Sequence, residues 1–145
     1  MPDVALPRLR CYRYAYEWIP RKARVRSCPR CRSELYAVPK IRPVKLGDGL
    51  GVEEIIAPHR DEILRLGRKF GVRRFRVFGS VRRREARPDS DVDLLVEWKR
   101  EHPPVAFLDL PIALEELLRR KTDVVSPETL HWFVRPKVEA EAIPL

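Results

Sequence analysis

The 145-residue chain contains no asparagine and no glutamine. Amides are thermolabile side chains, and their depletion fits a protein from a high-temperature organism. No apolar run approaches membrane-span length, and the N-terminus lacks the hydrophobic segment of a secretory signal. These absences exclude a helical membrane protein and predict a soluble, cytoplasmic one. Cysteine is scarce, with only Cys11, Cys28 and Cys31. An odd count in a reducing compartment argues against a disulfide framework. No internal repeat or low-complexity tract is visible.

Charge is abundant. Charged residues make up 35% of the chain and hydrophobic residues 44%, which is enough for a core. The net charge of +9 is unevenly placed. Residues 1–46 hold 12 Lys/Arg and 3 Asp/Glu, whereas residues 47–145 hold 18 of each. The pattern predicts a basic module over 1–46, a linker over 47–54 containing the joint "GDGLGV", and a second domain over 55–145. A basic appendage suits a polyanion such as RNA or an acidic protein face. The solvated surface of an Arg-rich proteome accounts for the same charge.

Regular patterning begins at Ile55. "APHRDEILRLGRKFG" has helix signals at both ends, with Pro58 in the first turn and Gly71 at the cap. Ile63, Leu66 and Phe70 form its apolar stripe. "VRRFRVFGS" alternates as a strand and ends in a Gly-Ser turn, "SVRRREA" opens a short helix, and "DVDLLVEW" is a second, buried strand. Asp109 and Pro111 mark the start of a helix in "PIALEELLRR", and "KTDVVS" is a third strand. Ser126-Pro127 reads as the cap of a further helix, followed by the short amphipathic tail "VRPKVEAEAIPL". This order predicts an α/β (α+β) domain with one small mixed sheet flanked by helices.

Asp91 and Asp93 lie two apart on a strand, so they share a face. Asp123 sits in another strand beside Val124 and Val125. If those strands are neighbours, three carboxylates converge, which is costly unless a hard cation sits among them. Oxygen-only ligands favour Mg²⁺ or Mn²⁺, and a pair of such ions suits phosphoryl chemistry. Gly79-Ser80 ends a strand and opens a helix, where a phosphate is favoured. Arg82, Arg83 and Arg84 follow it. Asp91 and Asp93 also fit a plain turn, because "RPDSD" is turn-rich.

"RVFGSVRRREARPDSDVDLLVE" resembles the signature of the DNA polymerase beta-like nucleotidyltransferase superfamily, and within it the minimal nucleotidyltransferase (MNT) type. The resemblance covers residues 55–145. It implies that Gly79 and Ser80 hold the nucleotide triphosphate and that Arg83 helps bind it. It implies that Asp91 and Asp93 bind two Mg²⁺ ions, with Asp123 as the third catalytic carboxylate, which helps activate the attacking hydroxyl. The family commonly has Ala where this chain has Arg82, and Gly where it has Arg84. Its small members resemble antitoxins that transfer AMP from ATP onto a HEPN-type helical toxin. Transfer to RNA or to a small molecule such as an aminoglycoside is a third option. A non-catalytic antitoxin or nucleic-acid-binding role is the alternative, and it rests on Arg82, Arg84 and the basic module.

"CYRYAYEWIPRKARVRSCPRCRSELYAVP" resembles a zinc ribbon in which Tyr14 occupies the second ligand position. Cys11, Cys28 and Cys31 then leave a tetrahedral Zn²⁺ site one ligand short. His59, His102 or His131 completes it only if the chain folds back. Otherwise the ribbon is degenerate, held by Tyr12, Tyr14, Tyr16, Trp18 and Tyr36. Trp132 and Phe133 pack the last helix or, with the tail "AEAIPL", form a docking face.

Overall fold

The computed structural model describes residues 5–145, so residues 1–4 of the basic module lie outside the described residues. These residues form two compact units that divide between Arg42 and Pro43. Among the described residues no helix is long and apolar enough to cross a membrane.

The first unit is built on one antiparallel hairpin, β1 (Leu9–Cys11) and β2 (Tyr16–Trp18). Arg10 stands opposite Glu17, and its Nε donates to that carboxylate at 3.0 Å. Tyr16 stacks on Trp18 with ring centroids 5.7 Å apart, and Tyr36 meets Trp18 edge-on at 5.2 Å. Tyr12 N–H closes onto the Tyr36 carbonyl at 2.8 Å. Only Cys11, Pro20 and Cys28 are buried among the unit's described residues. It therefore has an aromatic rim but no aliphatic core.

The second unit carries a four-stranded sheet in the order β5-β4-β3-β6. Its strands are β3 (Val72–Phe78), β4 (Val92–Trp98), β5 (Thr122–Val125) and β6 (Ile143–Pro144). β4 runs antiparallel to β3 and parallel to β5. Its Leu94, Leu95 and Val96 are all fully buried, as expected for a strand covered on both faces. The helices are α1 (Val52–Ile55), α2 (Arg60–Phe70), α3 (Gly79–Arg82), α4 (Ala106–Leu118) and α5 (Arg135–Glu141), with a short 3-10 turn (Ala57–His59) leading into α2. Ile63 of α2 and Leu110 and Leu114 of α4 join Val77, Leu94 and Val96 in one core. Each fully buried aliphatic side chain there is worth about 1.5–3 kcal/mol over an exposed one. The strand directions bring the end of β3 and the starts of β4 and β5 to one end of the sheet.

Three details differ from the sequence reading. The segment expected to be a joint is bonded into the unit: Gly47 and Gly49 donate to the carbonyls of Arg83 and Arg84 at 2.9 Å, and Leu50 pairs with Ala86. A Cβ on Gly47 would lie 2.8 Å from the Arg84 oxygen, so glycine here permits close approach. α4 starts at Ala106 rather than at Asp109–Pro111, because its first turn closes through Asp109 N–H to the Val105 carbonyl at 3.1 Å. Pro111 lies inside the helix. No helix follows Ser126-Pro127. Thr129 Oγ1 bonds the Ser126 carbonyl and accepts its N–H, at 3.0 and 3.2 Å, and such local side-chain bonds compete with helix growth. The tail, read from the sequence only as short and amphipathic, divides into α5 and the edge strand β6, where Pro144 costs the ladder little.

Candidate active site

The site begins where β3 stops. Phe78 is extended, at φ −135° and ψ −173°, and Gly79 then turns into the left-handed region at φ +74°. That turn sends the chain into α3 directly against β4. A Cβ on Gly79 would overlap the Asp93 carboxylate, so both the dihedral and the space require glycine.

Asp93 is paired on both sides. It faces Phe78 across the antiparallel ladder and Asp123 across the parallel one. Residues in register across a ladder have neighbouring side chains, so the two carboxylates repel. Asp91 precedes β4 and is partly exposed, with Lys121 Nζ 3.9 Å from its Oδ2. Asp123 is exposed. Half-burial, then Asp123 and Asp91, push the Asp93 carboxyl up to about 6, while Arg83 pulls the other way. A group poised there is what a bound cation would hold ionised. Asp91, Asp93 and Asp123 offer only carboxylate oxygens, the donor type that suits Mg²⁺ or Mn²⁺.

Ser80 lies next to Gly79, and its hydroxyl bonds no other described side chain. The Ser80 carbonyl accepts Glu85 N–H at 2.9 Å, which closes the turn after α3. Gly79 N–H is already taken by Glu141 Oε2 at 2.9 Å. Gly79 therefore makes room for the Asp93 carboxylate, and its N–H is bonded to Glu141.

Glu141 is the residue that sequence reasoning missed. It is only 8% exposed, and besides Gly79 N–H it accepts Arg83 Nη1 at 2.8 Å. Its backbone carbonyl accepts Arg82 Nε at 2.9 Å. Glu141 and Glu85 together hold the Arg83 guanidinium firmly charged. The available signal was a glutamate on the Val138–Ala142 stripe of an amphipathic tail, where an apolar residue is expected. Arg84 takes the left-handed region at φ +58°, which accounts for the glycine common at this position in the family it resembles. Its Nη2 donates to Glu54 Oε1 at 2.9 Å, so the arginine triplet is spread over three different partners.

In the first unit Cys11, Cys28 and Cys31 come together, with their sulfur atoms all within 4.8 Å of one another. Tyr14 is 59% exposed, and the Arg30 guanidinium lies 6.0 Å from its ring centroid. Residues 1–42 contain no histidine, and His59, His102 and His131 all belong to the second unit.

A nucleotidyltransferase domain model matches residues 59–145. The protein adenylyltransferase MntA of Thermococcus cleftensis is 37% identical over 92 residues, covering 63% of this chain and 90% of that protein. A solved structure assigned as a minimal nucleotidyltransferase matches with TM-score 0.58 and 41% identity, covering 68% of this chain and all of the other. A toxin–antitoxin crystal structure with AMP-PNP shares the fold at 20% identity and TM-score 0.50, covering 58% of this chain and 69% of that one.

Proposed function

This chain belongs to the nucleotidyltransferase domain family, and on that premise we propose that it transfers AMP from ATP to a hydroxyl of a protein, as the antitoxin partner of a HEPN-type toxin. The observation that carries this reading is the in-register pair Asp93 and Asp123, set against the Gly79 turn. Asp91, Asp93 and Asp123 would hold Mg²⁺, which when bound neutralises the carboxylates and the phosphate charge.

The chain's own residues do the rest. Ser80 offers its hydroxyl to a phosphate oxygen at the start of α3. Asp123, exposed at the edge of the site, accepts the proton of the attacking hydroxyl. The hydroxyl oxygen bonds to the α-phosphorus, the bond from that phosphorus to the bridging oxygen breaks, and pyrophosphate leaves. Arg83, held charged by Glu141 and Glu85, adds positive potential beside Asp93.

The test is transfer of α-labelled AMP to a helical protein co-expressed with the chain, with and without Mg²⁺. Label should require Mg²⁺ and vanish in Asp91→Ala/Asp93→Ala, and equal labelling by the double variant rejects the reading. A second reading rests on the basic first unit, where Arg21, Lys22, Arg24, Arg26 and Arg30 are all exposed. Binding of RNA with a steep salt dependence, and no Mg²⁺-dependent transfer, favours that reading instead.

A further inference from the structure

The first unit poses a physical problem. Chains below about 40 residues rarely bury enough surface to fold without a disulfide, a metal or a partner. Among its described residues this unit buries only Cys11, Pro20 and Cys28. Its centre is therefore sulfur rather than hydrocarbon.

The sulfur geometry suits a metal. Cys11 Sγ and Cys31 Sγ are 3.7 Å apart, and all three sulfurs lie within 4.8 Å of one another. Zinc–thiolate bonds of about 2.3 Å at tetrahedral angles put sulfurs roughly 3.8 Å apart. A disulfide needs sulfurs at about 2.05 Å, and all three cysteines are free.

The backbone around the trio has the form of two matched turns. Cys28-Pro-Arg-Cys31 is followed by Arg32 in the left-handed region at φ +58°, and Arg32 N–H closes onto the Cys28 carbonyl at 2.8 Å. Cys11-Tyr-Arg-Tyr14 is followed by Ala15 in the same region at φ +50°. Backbone N–H groups of Arg30 and Ser33 point at Cys28 Sγ and Cys31 Sγ, at 3.4 and 3.5 Å. Such donors favour sulfur in its thiolate form. Each turn offers two ligand positions, at its first and fourth residues. Three of the four are cysteine and the last is Tyr14, which is exposed and lies beside Arg30.

We propose that Cys11, Cys28 and Cys31 bind one Zn²⁺ through three thiolates, and that the fourth coordination position is open to an exchangeable ligand. Closed four-ligand sites are structural, whereas a site with three protein ligands admits water or an incoming donor. Tyr14 keeps the shape of the second turn without closing the site.

The test uses the full chain, purified under reducing conditions without an affinity tag that binds metal. Elemental analysis should find about one zinc per chain. After exchange for Co²⁺, the thiolate charge-transfer band should match three sulfurs, and added imidazole should shift the visible spectrum. Tyr14→Phe should keep both the metal content and that shift. Tyr14→Cys should raise the charge-transfer intensity by about a third and abolish the response to imidazole. Cys31→His keeps a donor where Cys31→Ser is at risk of unfolding, and it should retain metal with about a third less charge-transfer intensity.

Zinc below about a tenth of an equivalent in metal-supplemented preparations overturns the proposal. A Cys11–Cys31 disulfide by intact mass overturns it too. So does loss of metal in Tyr14→Phe, which would make tyrosine the fourth ligand, or a wild-type spectrum indifferent to imidazole. None of these readouts depends on nucleotidyl transfer.

Discussion

The carboxylate of Glu141, near the C-terminus, accepts the backbone N–H of Gly79 at 2.9 Å. It thereby fastens the last helix to the turn on which the site is built. The same carboxylate takes Arg83, and its backbone carbonyl takes Arg82.

Removing that fastening should be costly. Glu141→Ala leaves the Gly79 N–H buried without an acceptor, at about 1–3 kcal/mol, and releases Arg83. Glu141→Gln keeps an oxygen for Gly79 and should recover much of the loss. Denaturant melts measure the stability ranking, wild type above Gln above Ala. Transfer activity should follow the same order.

Gly79→Ala tests the turn itself. The left-handed φ of +74° costs a non-glycine residue about 1–2 kcal/mol, and the added Cβ meets the Asp93 carboxylate. Mg²⁺-dependent transfer should fall by about two orders of magnitude, because a displacement near 1 Å at a reacting site costs that much. An unchanged far-UV circular dichroism spectrum would show that the loss is local. Wild-type activity in this variant would mean that Asp93 need not stand where it does.

Asp93 predicts a pH signature. Its carboxyl is raised from 3.8 to about 6, chiefly by burial and by Asp123 and Asp91. The folded state therefore keeps a proton that the unfolded state has already released. This contribution to stability is complete below the unfolded value and is lost as pH rises through the folded one. Without divalent cations, the melting temperature of Asp93→Asn should fall less than that of wild type as pH rises from about 4 to about 6. Mg²⁺ competes with the proton, so its apparent affinity in titration calorimetry should strengthen across the same window. Parallel pH dependence in wild type and variant would place the titration elsewhere.

Arg84→Gly asks whether the third arginine serves the chemistry. The substitution relieves a left-handed residue and removes the ion pair with Glu54. These effects oppose each other, so the thermal midpoint should move by less than about 4 °C. Transfer should stay within about a factor of two of wild type, since 0.4 kcal/mol on the barrier corresponds to roughly that change. A large fall in transfer with stability intact would assign Arg84 to the substrate.

Much of the second unit was legible because it depends on local pattern. The period-2 alternation of Phe75 and Val77 marks a strand wherever it lies in the fold, and the Ile63–Leu66–Phe70 stripe marks a helix. Gly79 could be read as a turn because few other residues tolerate φ above zero. Local pattern misled where side chains competed with backbone, as at Thr129, or where glycine meant close packing rather than freedom, as at Gly47.

The sequence by itself determined the pieces of the site: Gly79-Ser80 at a strand end, and Asp93 in a strand, with Asp91 falling just before that strand rather than on one face with it. Those features need only neighbours within a few residues, and backbone stereochemistry enforces them. Only the tertiary structure decided that Asp123 stands in register with Asp93, because that depends on the order and direction of strands separated by a helix. It also decided that Glu141 holds Gly79 and Arg83, and that Arg82 and Arg84 are tied to Glu141 and Glu54. In the first unit it brought Cys11 to Cys28 and Cys31. A charged or sulfur side chain carries no label for its partner in one dimension, and the partner is chosen only when chain folding puts two distant residues within bonding distance.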